Sequence, residues 1–206
     1  MSVQIKVCGL TCIEDVLDAL ELGVHYLGFV FDPDSPYFIA PDECQSILEE
    51  VPFNVPKVGV FANAPEQFVI DTATDLDLAI LQFDGDESFD YCTQFARPHI
   101  KRFSPKREAD LELMNGFASD YYLIDSGIQS TDLGSSFTGY CDLAREAKSR
   151  GPIFLSQGLN EKNIEMALRT VKPFAVNVCE GIELSVGKKD YSKMQEFVRR
   201  VLACEF

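Results

Sequence analysis

Short apolar runs alternate along the whole chain with longer segments in which apolar residues recur every three or four positions. The runs at 5–7, 26–31, 57–61, 79–82, 99–101, 121–124, 153–155 and 175–178 are rich in Val, Ile, Leu and Phe. Strands buried on both faces read this way. The segments between them carry a helical period. Ile13, Val16, Leu17 and Leu20 mark one apolar face over 13–22, and 41–51, 65–74, 161–171 and 190–204 repeat the pattern. Thr11 followed by Glu14 fits a capping box, and Pro41, Pro65 and Asn160 mark further helix starts. The stretch 126–139, with Gly127, Gly134 and Gly139, has no such period and reads as a long loop after the sixth strand. Strand–helix alternation implies a parallel sheet. Eight such units predict an α/β fold closed as a single (β/α)8 barrel over 1–206, of minimal size against the ~250 residues usual for that architecture. A five- or six-stranded open sheet is the other arrangement the alternation permits. No Gly-x-Gly-x-x-Gly follows the first strand, which speaks against dinucleotide binding.

A chain of 206 residues buries enough surface to need neither disulfide nor structural metal. The net charge of −15 argues against nucleic acid and against anionic membrane surfaces as partners. It also means that an anionic substrate would need positive potential built into its site. The seven cysteines are odd in number and irregularly spaced, with no C-x-x-C pair, so neither a disulfide framework nor a zinc site is expected. The chain shows no signal-peptide pattern and no run long enough to span a bilayer, and a reducing, cytoplasmic setting is expected. The pattern leaves monomer and homodimer equally open.

Two of the predicted strands stop at an ionisable side chain. One leads into Cys8 and the other into Asp125. Each residue alone is compatible with packing or loop anchoring. In a barrel of parallel strands, however, both would face the same mouth. His25 and His99 sit at strand starts, away from that mouth, and are expected to be structural.

The motifs Lys6-Val7-Cys8-Gly9-Leu10-Thr11, Gly28-Phe29-Val30-Phe31 with Ser35-Pro36, Val58-Gly59-Val60-Phe61, Leu81-Gln82, Leu123-Ile124-Asp125-Ser126, Gly158-Leu159-Asn160 and Gly181 through Lys189-Asp190 occur in this order. Taken together the chain resembles the phosphoribosylanthranilate isomerase family of tryptophan biosynthesis, whose fold is a minimal (β/α)8 barrel. The resemblance implies an intramolecular oxidoreduction, the Amadori rearrangement of an aminoaldose to a 1-amino-1-deoxyketose. It makes Cys8 the general base and Asp125 the general acid. Each such group is typically worth ~10²–10⁴-fold, and the chemistry needs no metal or cofactor. The partner it implies is a small sugar-amine, phosphorylated in the family. Substrate contacts would come from Ser35, Tyr37, Gln82, Asp84 and Lys101, and, in the last two loops, from Gln157, Gly158, Asn177, Cys179, Glu180 and Gly181.

Departures from the family concentrate in those contacts. Tyr37 replaces the arginine that holds the anthranilate carboxylate, and a phenol cannot make a bidentate charged pair. Asp34 stands at an often basic position, and Phe83-Asp84-Gly85 replaces Leu-His-Gly. Gln157-Gly158 replaces Gly-Gly, and Asn177-Val178-Cys179-Glu180-Gly181 replaces Asp-Val-Ser-Ser-Gly, which puts a carboxylate where phosphate would bind. Lys101, Arg102 and Lys106 follow the fifth strand and could restore positive charge. Two other functions stay open: an isomerase for a related sugar lacking the carboxylate or the phosphate, and a non-catalytic binding barrel.

Overall fold

The computed structural model describes residues 3–51, 55–125, 127, 135–156 and 158–204. Its strands are β1 (Gln4–Val7), β2 (Tyr26–Val30), β3 (Lys57–Phe61), β4 (Ile80–Phe83), β5 (His99–Phe103), β6 (Tyr121–Asp125), β7 (Ile153–Ser156) and β8 (Ala175–Val178). Each pairs in parallel with its sequence neighbour, and β8 closes on β1 through Lys6↔Asn177 and Val7↔Val178. The closed eight-stranded barrel is the expected fold, and the open sheet is excluded.

Successive side chains of a strand point to opposite faces, so each strand feeds two layers. Val7, Phe29, Phe61, Phe83, Ile124, Leu155 and Val176 face outward. They pack with Val16 of α1 (Ile13–Glu21), Val69 of α3 (Glu66–Asp75), Leu168 of α6 (Ile164–Val171) and Phe197 of α7 (Tyr191–Ala203). The opposite parity fills the barrel: Tyr26, Val58, Ile80, Ile100, Leu123, Phe154 and Ala175 form a separate apolar plug near the strand N-termini. Each such buried side chain stabilises the fold by ~1.5–3 kcal/mol. The plug closes one end of the barrel and leaves the strand C-termini as the open mouth.

Some elements differ from expectation. The helix α2 (Pro41–Glu49) starts at its proline, as predicted. Thr11 makes no capping box. Cys12 is the N-cap of α1, without a side-chain bond, while the Thr11 hydroxyl donates to the Gly187 carbonyl at 2.6 Å. The helix after β7 begins beyond Asn163 rather than at Asn160, because Asn163 Oδ1 takes the Asn160 N–H and holds a turn there. A short helix, α4 (Phe89–Thr93), was not read from sequence. Part of the predicted long loop is helical: α5 runs Ser135–Ala147. Ser126 and 128–134 lie outside the described residues. The β5–β6 connection is a 3-10 stretch, Glu108–Gly116, and a hairpin of β9 (Glu183–Ser185) and β10 (Lys188–Lys189) follows β8. No helix of the described residues is long and apolar enough to cross a membrane.

Candidate active site

Seven strands, together with Cys8 just past the end of β1, line a cavity of about 560 Å³ at the mouth, through Val30, Val60, Gln82, Arg102, Asp125, Ser156 and Asn177 among others. Cys8 and Asp125 therefore open onto one space, as the barrel reading required. Register explains how they are held. Asp125, Ser156, Asn177 and Lys6 are successive Cα partners across β6, β7, β8 and β1. Lys6 is fully buried and donates to Asn177 Oδ1 at 2.8 Å, and Asn177 Nδ2 donates to Ser156 Oγ at 2.8 Å. Cys8 lies two residues on, on the same face one layer nearer the mouth. Its N–H donates to the Val178 carbonyl at 2.9 Å. Gly28 on β2 leaves room for both groups: a Cβ there would lie 2.9 Å from Cys8 Sγ and 2.9 Å from Lys6 Nζ.

Asp125 is buried, with Oδ1 accepting the Gly127 N–H at 2.9 Å and Oδ2 2.5 Å from Arg102 Nη2. Beneath it, the Tyr140 hydroxyl of α5 sits 2.7 Å from the Ile124 carbonyl and 2.6 Å from that of Ser156, and accepts the Ser156 N–H at 3.2 Å. That one hydroxyl ties β6 to β7 below the acid. Asp84 Oδ1 accepts from Gln82 Nε2 at 2.8 Å; burial raises its carboxyl, against the lowering effect of Arg102 and of that hydrogen bond.

The two regions where the resemblance implies anion recognition are occupied by the chain's own groups. The Tyr37 hydroxyl points at Glu183 Oε2 (3.4 Å), and Lys189 Nζ pairs with Glu183 Oε1 at 2.7 Å while lying 5.5 Å from the Tyr37 ring centre. Burial pushes the Tyr37 phenol well above its ordinary value, and neighbouring Cys179 and Glu183 add to that. For Lys189, burial opposes the charge, but Cys179 and Glu183 outweigh it and the net shift is upward. Cys179 is pushed up to about 12 by burial, with Lys189 pulling the other way. In the last two loops Gly158 has φ +70°, and a Cβ on Gly181 would lie 1.8 Å from the Leu159 carbonyl oxygen, so these backbones touch directly. Glu180 sits on this junction and accepts the Gly158 N–H. Burial and nearby Glu183 raise its carboxyl, and its Oε1 is buried without a partner among the described residues.

Of the residues expected at the substrate, Ser35, Tyr37, Gln82, Asp84, Gly158, Asn177, Cys179, Glu180 and Gly181 line the cavity. Gln157 lies outside the described residues. Lys101 is a correction, since it does not line the cavity. Ile100 belongs to the barrel plug, so the next residue points outward. There Lys101 Nζ meets Glu87 Oε2 at 2.8 Å and the Gly85 carbonyl at 2.6 Å, in the layer behind the strands. Arg102 takes the inward position instead. Arg102 was named only as one of three cations that could restore positive charge, and Lys6 was not a candidate site residue, although strand parity with Ile100 and Cys8 points to both. Neither histidine lines the cavity: His25 Nδ1 accepts the Ile5 N–H, and His99 faces Asp120. Among the described residues no group of His, Cys, Asp or Glu is arranged to hold a metal ion.

Residues 5–200 match the family described as PRAI, N-(5'phosphoribosyl)anthranilate (PRA) isomerase. The N-(5'-phosphoribosyl)anthranilate isomerase of Geobacter sulfurreducens is 38% identical over 198 residues, 96% of this chain and 98% of that protein. The crystal structure of the Thermotoga maritima phosphoribosyl anthranilate isomerase superposes with a TM-score of 0.87 at 33% identity, covering 97% of this chain and 98% of that one. A second isomerase structure was solved with reduced 1-(o-carboxyphenylamino)-1-deoxyribulose 5-phosphate bound. It has a TM-score of 0.81 and 34% identity, covering 97% of this chain and 98% of its own.

Proposed function

The chain belongs to the N-(5'-phosphoribosyl)anthranilate isomerase family, and from that premise we propose how its own residues carry out the isomerisation. The observation that carries the reading is that Cys8 and Asp125, from strands on different sides of the barrel, open onto one cavity. Asp125 in its protonated form gives its proton to the ring oxygen of the aminoaldose. The C1–O bond breaks as the amine nitrogen forms a double bond to C1. The Cys8 thiolate then takes the proton from C2, giving an enolamine. Ketonisation moves a proton onto C1 and releases the one on the C2 hydroxyl, which restores thiolate and acid. No electrons enter or leave, so the step is a redox-neutral shift within the sugar.

A thiolate base needs a cation or N–H donors near it. Lys6 meets that need: its ammonium and the Cys8 sulfur both lie 2.9 Å from one point beside Gly28. In this reading the substrate phosphate binds at the Gly158 and Gly181 loops, which line the cavity and where Glu180 would have to give up the Gly158 N–H. The relatives' activity favours a carboxylated, phosphorylated substrate over a neutral sugar. A cytoplasmic setting fits a small-molecule biosynthetic step.

Steady-state kinetics on phosphoribosylanthranilate tests the roles. Cys8→Ala and Asp125→Asn should each lower kcat by ~10²–10⁴-fold while changing KM far less. A variant of either residue that keeps wild-type kcat would refute the assignment. Failure of the intact protein to restore growth of a tryptophan auxotroph lacking this isomerase, despite good expression, would sink the reading altogether.

A further inference from the structure

The substrate of the isomerase reading carries a phosphate and an aromatic carboxylate, yet the cavity is walled by Asp32, Asp84, Asp86, Asp125 and Glu180. Among the described residues lining it, Arg102 carries the only positive charge. The position from which the family's carboxylate-binding arginine projects holds Tyr37. The cation nearest to Tyr37, Lys189, has a side chain wholly out of solvent and is committed to Glu183. Carboxylate recognition therefore has no charged partner on that side of the mouth.

We propose that Arg102 of β5 binds the aglycone carboxylate. Three observations carry this. Arg102 stands one layer above Ile100 on the inward face of β5, so it enters the cavity from a strand rather than a loop. Its side chain is 34% exposed and reaches the ligand space. Its Nε is buried without a hydrogen-bond partner among the described residues, and its Nη2 lies 2.5 Å from Asp125 Oδ2. In a guanidinium, Nε–H and one Nη2–H point the same way and form the fork that grips a carboxylate at two points. A substrate carboxylate supplies the acceptor that Nε lacks.

The proposal rests on the isomerase reading, and the test separates the two. Affinity is measured by calorimetry for reduced 1-(o-carboxyphenylamino)-1-deoxyribulose 5-phosphate and for the same compound without its carboxylate. For the wild type, loss of the carboxylate should weaken binding by roughly 10- to 100-fold, the range of a hydrogen bond to a charged group. In Arg102→Gln the discrimination should fall to about 3-fold or less, and Arg102→Lys, which keeps charge but not the fork, should lie between. Arg102→Gln discriminating as strongly as the wild type would overturn the proposal while leaving the isomerase reading intact. A wild type that binds neither ligand and does not turn over phosphoribosylanthranilate would overturn both.

Discussion

Lys101 offers a sharp test of which side of a strand each cation occupies. Its side chain is 5% exposed and that of Glu87 2%, and they meet at 2.8 Å behind β5. Glu87 is further tied by the Asn63 N–H, 2.7 Å from Oε1, and Lys101 also caps the Gly85 carbonyl at 2.6 Å. Lys101→Met keeps the length of the side chain and removes its charge, leaving a buried carboxylate with one hydrogen bond. Removing one partner of a buried pair typically costs ~3–5 kcal/mol. For a chain of this size that corresponds to a fall in Tm of roughly 6–20 °C, at ~2–4 °C per kcal/mol. The double variant Lys101→Met with Glu87→Gln removes both charges but keeps the acceptor for Asn63. It should recover most of the loss, so that the coupling between the two positions is about 2–3 kcal/mol. Urea unfolding of wild type, both single variants and the double measures this, with the midpoint moving and the m-value constant. KM for phosphoribosylanthranilate, taken well below the Tm, should move less than about 3-fold, since Lys101 does not line the cavity and reaches its wall only from behind, at the Gly85 carbonyl. A loss below about 1 kcal/mol together with a KM raised tenfold or more would refute the reasoning. It would mean that Lys101 is a substrate cation after all.

Glu180→Ser should lower KM about tenfold at neutral pH. A carboxylate ~5 Å from a phosphate repels it by up to ~3 kcal/mol per unit charge at intermediate dielectric, and exposure to solvent reduces this. Because the Glu180 carboxyl is raised above its ordinary 4.5, the advantage of the variant is full above that raised value and disappears as pH falls through it; a KM ratio that is flat with pH would contradict this. Gly28→Ala should lower kcat more than it raises KM and cost ~1–3 kcal/mol of stability, since its Cβ would sit 2.9 Å from both the Cys8 sulfur and the Lys6 ammonium. Unchanged kcat in that variant would show that the two groups need not lie together.

The scaffold was legible because parallel strands buried on both faces leave apolar runs that no solvated segment imitates. The helices with a strong apolar face, such as α1 and α7, were legible for the same reason. Elements outside the reading had weak local signals. α4 spans only Phe89–Thr93, and the first turn of α5, Ser-Ser-Phe-Thr-Gly, offers one apolar side chain and a glycine. Cys8 and Asp125 stood out as ionisable residues ending apolar strands. The identity of the inward cation did not, because the β5 reading stopped at Lys101. Pairing continues through Arg102↔Leu123 and Phe103↔Ile124, and two more strand residues decide which of two adjacent cations enters the barrel. Glu180 was read as an intruder at the last two loops, and it lines the cavity there. Its grip on the Gly158 N–H depends on two loops meeting in space, which no local pattern encodes.

Position in the fold accounts for what this chain kept and what it changed. Lys6, Asn177, Ser156 and Asp125 are set by strand register, with Cys8 one residue past the end of β1, and moving any of the four by one residue would turn it into the helical layer. Chemistry built on that row is hard to alter without losing the barrel. Tyr37, Asp84 and Glu180 stand beyond the strand ends, where a change of residue costs little packing. Once Tyr37 turned to Glu183 and Lys189, the loop after β2 had no guanidinium to offer. On the proposal above, Arg102 supplies one from the rigid wall, beside Asp125. A strand-borne arginine is held more tightly than a loop-borne one, so selectivity for the carboxylate would depend less on loop closure.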